Sequence, residues 1–238
     1  MAALKISVVI CTYNGEKYIV EQLESIAGQT RLPDQLILSD DGSRDNTVAI
    51  LKEFARTASF HVIVHQQPAN LGSTLNFADA IARASEDIIV LSDQDDVWYP
   101  HKLEALEHVF DTKHDVGIVF SDADIVDQHL DPLGYTLWQS LRFSPKQQDE
   151  MRRGSPLSVM LKHSVVTGAT MAFRSRLRSL IYPIPNSWVH DEWIALVLSM
   201  FAPIYPLPTA LIRYRQHGAN QISAEAINWR SRLQVALD

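Results

Sequence analysis

Ile6-Ser7-Val8-Val9-Ile10-Cys11-Thr12-Tyr13-Asn14-Gly15 sets the pattern for the first half of the chain: a β-branched apolar run breaks into polar residues and a glycine. Residues 6–11 are too few for a stable helix and show no polar face, so they read as a strand buried on both sides. The unit recurs. Residues 35–39 form a second such strand, followed by Asp40-Asp41-Gly42-Ser43. Residues 60–65, 87–91 and 116–120 give a third, fourth and fifth. Helical stretches separate them at 18–27, 47–56, 76–84 and 102–112. In the first, Ile19, Leu23 and Ile26 keep helical spacing, and Asp45 and Asn46 are candidate caps for the second. Short apolar strands alternating with amphipathic helices predict an α/β fold, with a mostly parallel central sheet flanked by helices.

The second half is less regular. Residues 127–155 are polar and hold Pro132, Gly134, Pro145 and Gly154, which predicts a long functional or mobile loop. Residues 165–173 read as a strand, 191–201 as a helix, 211–214 as a short strand and 224–237 as a terminal helix. The most apolar stretch, 193–204, reads as a buried helix. The expected organisation is one domain over 1–238.

Composition narrows the class. A chain of 238 residues with 46% hydrophobic and 21% charged residues suits one compact domain. A formal net charge of −7 argues against nucleic acid as a partner. Cys11 is the single cysteine, so no intramolecular disulfide forms and a reducing, cytoplasmic setting is expected. The apolar run near the N-terminus is too short for a signal-peptide core. No run approaches the roughly 20 residues that span a bilayer.

Ligands of parallel α/β sheets bind beyond the carboxyl ends of the strands. Three polar clusters fall there: Thr12-Tyr13-Asn14-Gly15, Asp40-Asp41-Gly42-Ser43 and Ser92-Asp93-Gln94-Asp95-Asp96-Val97-Trp98. Asp93, Asp95 and Asp96 repel one another unless a cation sits among them, and oxygen donors suit magnesium or manganese. Taken alone, each cluster has a plainer reading, as a solvated acidic loop or an Asp-Gly turn. A turn needs one aspartate, so one of Asp40 and Asp41 is free to accept from a base N3–H. Tyr13 is placed to stack on that base, and Asn70-Leu71-Gly72 forms a turn on the same side. Asp122 and Asp124 form a rival Asp-x-Asp pair, ranked below the first.

These motifs, in this order, resemble those of family-two glycosyltransferases, inverting enzymes of the GT-A fold. Ile10-Cys11-Thr12-Tyr13-Asn14, Gln29-Thr30, Asp40 through Thr47, Asn70-Leu71-Gly72 and Ser92 through Trp98 carry the resemblance over residues 5–125. His190-Asp191-Glu192-Trp193 and Arg213-Tyr214-Arg215-Gln216-His217-Gly218 extend it more thinly, toward rhamnosyltransferase-like members. The resemblance implies that Thr12, Tyr13, Asn14, Asp41, Asn70, Gly72 and Asp93 bind a nucleoside-diphosphate sugar, with Arg213 and Arg215 countering phosphate charge. It implies a divalent metal, Mg or Mn, on Asp93, Asp95 and His217, and Asp191 as catalytic base. Residues 1–125 would then form the nucleotide-sugar half and 126–238 the acceptor half. The donor would be a UDP- or dTDP-sugar. The acceptor would be a saccharide or lipid-linked saccharide at the cytoplasmic face of a membrane, with Trp229, Arg230, Arg232 and Leu233 available for peripheral contact. His190 departs from the family, which often has glutamate there. Read without the resemblance, Asp191 is a helix cap and His217 a packed or surface histidine.

Other classes fit less well. A dinucleotide-dependent dehydrogenase needs Gly-x-Gly-x-x-Gly after the first strand, and a nucleotidyltransferase a glycine-rich loop; only Gly15 stands there. A glycosidase uses two separated carboxylates and no acidic triplet. A catalytically inactive scaffold on the same fold is free to lose Asp41, Asp93, Asp95, Asp191 and His217, and all are present.

Overall fold

The computed structural model describes residues 3–162 and 164–217. The predicted helix 224–237 and the residues Trp229, Arg230, Arg232, Leu233 and Gly218 lie outside them. Four strands come first: β1 (Ile6–Thr12), β2 (Gln35–Asp40), β3 (His61–Gln66) and β4 (Ile88–Ser92). They are linked by α1 (Ile19–Ala27), α2 (Thr47–Thr57) and α3 (Ser73–Arg83). Then follow β5 (Val97–Trp98), α4 (Lys102–Thr112), β6 (Ile118–Val126) and β7 (Pro132–Thr136). Short helices α5 (Leu137–Ser140), α6 (Pro145–Arg152) and α7 (Pro156–Met160) precede β8 (Met171–Arg174), α8 (His190–Ser199) and β9 (Ile204–Arg215).

Among the described residues the sheet runs β3-β2-β1-β4-β8-β6-β9-β5, with β7 on β6. The four N-terminal strands are parallel, as is β6 with β9; β8, β7 and β5 pair antiparallel to their neighbours. The α/β expectation therefore holds, and antiparallel strands enter where the chain loses its helical crossovers. Every residue of β1, β2 and β4 is buried. The reason is the period of two. Val8, Ile10, Leu36, Leu38, Ile88 and Val90 face a core closed by α1, α2 and α4. Val9, Cys11, Ile37, Ile89 and Leu91 face a second core closed by α3 and α8.

Four readings need correction. The predicted loop 127–155 holds β7, α5 and α6. Thr136 with Gln139, and Ser144 with Gln147, form reciprocal capping boxes that start the two helices. The predicted strand 165–173 is a strand only from Met171, after a 3-10 turn at Gly168–Thr170. The helix expected to run to residue 201 or 204 ends at Ser199, ahead of Pro203, and leaves Met200 and Phe201 exposed. The short strand 211–214 is the end of the twelve-residue β9. Its prolines hid it. Ser121 of β6 pairs with Leu207 and the next residue, Asp122, with Ala210, so Pro208 falls in a bulge that needs no ladder N–H.

Candidate active site

The carboxyl ends of β1, β2 and β4 open into a cleft of about 690 Å³. Its far wall comes from α8, the turn before β8, Tyr214 and His217. Thr12, Tyr13, Asn14, Asp41, Asn70, Gly72, Asp93, Asp95, Asp191 and His217 all border it. Arg213 and Arg215 do not.

The three strand-end loops are tied together by their own polar groups. Asn14, at φ 47°, donates its N–H to Ser43 Oγ at 2.9 Å and accepts the Arg44 N–H at Oδ1 at 2.9 Å. The Gln94 amide accepts from Tyr13 N at 3.0 Å and donates to Tyr13 O at 3.2 Å. That approach needs Gly15, because a Cβ there would lie 2.3 Å from Gln94 Oε1. Tyr13 itself is 40% exposed, its ring free to receive a planar ligand.

The two aspartates after β2 divide their work. Asp40 holds its own turn, accepting from Gly42 N at 3.1 Å, Ser43 N at 2.9 Å and Thr12 Oγ1 at 3.0 Å. Asp41 is not idle, contrary to the expectation of a free carboxylate. Its oxygens accept from Leu71 N at 2.7 Å and Gly72 N at 2.9 Å, and Asn70 Nδ2 donates to its backbone carbonyl at 3.1 Å. Each oxygen keeps a second lone pair for a ligand on the cleft. Gly72 takes φ +80° where α3 begins, a conformation that suits glycine.

The acidic loop after β4 is crowded. Burial, then the charges of Asp95 and Asp191, push the Asp93 carboxyl up to about 7, with Lys102 pulling the other way. Asp96 is fully buried and raised well above the usual carboxylate range by burial, then by Asp95 and Asp93. One of its oxygens accepts from Arg215 N at 3.0 Å and the other has no partner. Asp95 Oδ2 sits 2.8 Å from His217 Nε2, whose ring packs 4.8 Å from that of Tyr18. Among the described residues no three histidine, cysteine or acidic side chains are already gathered round one point. The donor set nevertheless fits a hard divalent cation. Two carboxylates and an imidazole border one cleft, and the charges of Asp95 and Asp191, which add to burial in raising Asp93, are ones a cation would offset.

Asp191 lies in the first turn of α8, where negative charge meets the positive end of the helix. It is not an N-cap; that position is Val189. Its Oδ2 accepts from Gly168 N at 2.7 Å and its Oδ1 from Glu192 N at 2.7 Å. Tyr214 borders the same cleft. Burial first, then Asp93, Asp96, Asp95 and Asp191, drive its phenol well above the ordinary value.

The arginines have other work. Arg215 is 2% exposed and donates to Asp95 O and Gln128 O, each at 2.7 Å, and to Glu21. Its guanidinium lies 4.5 Å from the Tyr18 ring centroid. That of Arg213 lies over Tyr99, 5.3 Å from the centroid. Both support the wall behind the acidic loop. The rival pair is likewise engaged: Asp122 Oδ1 accepts from Trp138 N at 2.9 Å, and Asp124 accepts from Tyr99 OH at 2.6 Å.

Lys102 escaped the sequence reading. It is fully buried, donates to Ala169 O at 2.8 Å and lies 3.8 Å from the Trp98 ring centroid. Burial lowers it to about 7, opposed by Asp96 and Asp93. The available signal was a charged residue in the apolar row with Leu106 and Val109 on α4.

Comparison with known proteins shows the family and the fold. The family described as Glycosyl transferase family 2 matches residues 7–170. An uncharacterized glycosyltransferase of Nostoc sp. is 30% identical over 228 residues, covering 91% of this chain and 66% of that protein. One from Rickettsia typhi is 26% identical, covering 94% and 67%. The chain thus spans about two thirds of the length of these relatives. Among solved structures, S. aureus TarS 1-349 in complex with UDP-GlcNAc superposes with a TM-score of 0.70 at 20% identity, over 98% of this chain and 64% of that one. The mannosyltransferase PcManGT from Pyrobaculum calidifontis, in complex with GDP-Man and Mn2+, gives 0.63 at 16%, over 93% and 59%. The likeness to these two structures is one of fold, and the match of residues 7–170 together with the motifs lining the cleft means that the chain belongs to glycosyl transferase family 2.

Proposed function

We propose that this chain carries the catalytic centre of an inverting, metal-dependent glycosyltransferase. It moves a sugar from a nucleoside diphosphate to a hydroxyl of a saccharide or lipid-linked saccharide. The observation that carries this reading is the meeting of the acidic loop after β4 with Asp191 of α8 across one cleft, felt together at Tyr214. Residues 1–125 supply the donor side and 126–238 the acceptor side. Tyr13 stacks on the base and Asp41 accepts from its N3–H, beside Thr12, Asn14, Asn70 and Gly72. A uracil or thymine base fits that acceptor, so the donor is a UDP- or dTDP-sugar; rhamnose is the sugar suggested by the motifs at 190–193 and 213–218. TarS with UDP-GlcNAc and PcManGT with GDP-Man and Mn2+ support a nucleotide-sugar donor.

In the reaction, the acceptor oxygen attacks the anomeric carbon from the face opposite the diphosphate. The bond from that carbon to the β-phosphate oxygen breaks, and the diphosphate leaves with the electron pair. Asp191 takes the acceptor proton. The N–H groups of Gly168 and Glu192 orient the carboxylate, and each oxygen keeps a second lone pair able to take the proton. Asp93, Asp95 and His217 would hold a magnesium or manganese ion, and the ion would offset charge on the departing diphosphate. Among the described residues no helix is long and apolar enough to cross a membrane.

Calorimetric titration with UDP, dTDP, GDP and ADP, with and without Mn2+, tests the reading. Manganese-dependent binding of UDP or dTDP, lost in Asp95→Ala, is the expected result. Absence of binding by every nucleotide under both conditions overturns it.

A further inference from the structure

The cleft carries more negative than positive charge. Asp41, Asp93, Asp95, Asp191 and Glu192 border it, and among the described residues Lys17 is the one lysine or arginine that does so. A diphosphate entering that space meets repulsion unless cations stand beside it. Arg213 and Arg215 lie outside the lining, and Lys102 is buried against Ala169 O. Lys17 is exposed. Its ammonium lies 4.7 Å from the centroid of the Tyr18 ring and makes no ion pair among the described residues. Its N–H donors can therefore turn to a ligand.

The backbone that carries Lys17 is pinned. Tyr18 N and Ile19 N both donate to Gly15 O at 3.0 Å. Gly15 N donates to Thr47 Oγ1 at 2.8 Å, and Glu16 N to Asp45 Oδ2 at 3.1 Å. Along the chain Lys17 follows closely on Tyr13, in the loop proposed to take the base. In space it is one ring away from His217, whose own ring packs 4.8 Å from that of Tyr18 and whose Nε2 lies 2.8 Å from Asp95 Oδ2. Phosphates that run from the base toward the acidic loop pass this side chain, and the end remote from the base is the β-phosphate.

We propose that Lys17 binds the β-phosphate of the donor, so that a side chain of the loop between β1 and α1 selects nucleoside diphosphates over monophosphates. The inference rests on the glycosyltransferase reading above. An oxygen of the β-phosphate is the leaving atom, so the ammonium also meets the charge that grows as the bond to the anomeric carbon breaks. Lysine suits the task, because its compact charge on a flexible stem can follow a phosphate without the fixed geometry a guanidinium needs.

Calorimetric titration and competition on the full chain at saturating Mn2+ test it, with UDP, UMP, dTDP and dTMP against wild type, Lys17→Met and Lys17→Arg. Both substitutions fall on an exposed side chain, so the fold is kept. Lys17→Met should bind the diphosphates roughly tenfold more weakly, the scale of one charge-assisted hydrogen bond, and the monophosphates within about twofold of wild type. Lys17→Arg should recover most of the loss. Diphosphates bound equally well by Lys17→Met and wild type overturn the inference and leave the glycosyltransferase reading standing. So does an equal loss for monophosphates and diphosphates, which would put the effect of the ammonium short of the β-phosphate. Failure of the wild type to bind either diphosphate removes both.

Discussion

The backbone N–H of Gly168 donates to Asp191 Oδ2 at 2.7 Å, joining the turn before β8 to the first turn of α8. A Cβ on residue 168 would stand 3.1 Å from His190 Nε2, tighter than side chains ordinarily pack, and 3.4 Å from the Asp191 carboxylate, an ordinary contact. Gly168→Ala should therefore push the His190 ring by a few tenths of an ångström, and with it the first turn of α8 that carries the Asp191 carboxylate. The expected outcome is a fall in kcat of about tenfold, since misplacement by 1 Å costs on the order of a hundredfold. UDP affinity should stay unchanged, because the nucleotide loops are untouched. Steady-state kinetics beside calorimetry checks both.

Arg215 gives the opposite kind of prediction. The sequence suggested phosphate binding, but its guanidinium is spent on Asp95 O, Gln128 O and Glu21, with 2% exposure. Arg215→Met should destabilise the fold by on the order of 3 kcal/mol, because buried carbonyls lose their donors. Urea unfolding measures that loss. Arg213→Ala, whose side chain lies over Tyr99, should cost less than about 1 kcal/mol. Equal stability for Arg215→Met and the wild type would contradict the structural role.

The parallel half of the fold was legible because its strands are buried on both faces. Continuous β-branched runs such as Ile6 to Cys11 leave little else to read. The second half was not, for two physical reasons. Pro206 and Pro208 masked β9, in which Pro206 pairs with Phe120 and Pro208 falls in a bulge, and the polar stretch 127–155 organises itself through side-chain capping at Thr136 and Ser144 rather than through apolar periodicity. The site divides in the same way. Strand-end residues such as Tyr13, Asp41 and Asp93 were found because their position follows from the sheet. The partnerships of Asp41 with Gly72, Asp191 with Gly168 and Lys102 with Ala169 depend on contacts between elements far apart in the chain, which no local pattern encodes.

His190 makes stability depend on pH. Its folded-state value lies below the ordinary 6.5, chiefly from burial. Below about pH 6.5 the unfolded chain therefore binds a proton that the folded chain refuses, so stability is lost as pH falls from there toward the folded-state value. His190→Gln should flatten the stability profile between pH 6.5 and 5 relative to the wild type. The difference in slope should be at most about 1.4 kcal/mol per pH unit. Urea titrations at several pH values give the slopes. Parallel profiles for the two proteins would show that the imidazole titrates as freely as in the unfolded chain.

Asp191→Asn separates chemistry from binding. The substitution keeps the shape of the side chain and one carbonyl oxygen able to accept from Gly168 or Glu192, so α8 and the turn before β8 should stay in place. It removes the basicity that the proposed proton transfer needs. General-base catalysis contributes at least about a hundredfold, and kcat should fall by that factor or more. Manganese-dependent UDP affinity should hold or rise slightly, because one negative charge is removed from beside Asp93. A fall of less than about tenfold in kcat would take the base role from Asp191. With it would go the single-displacement mechanism built on that carboxylate.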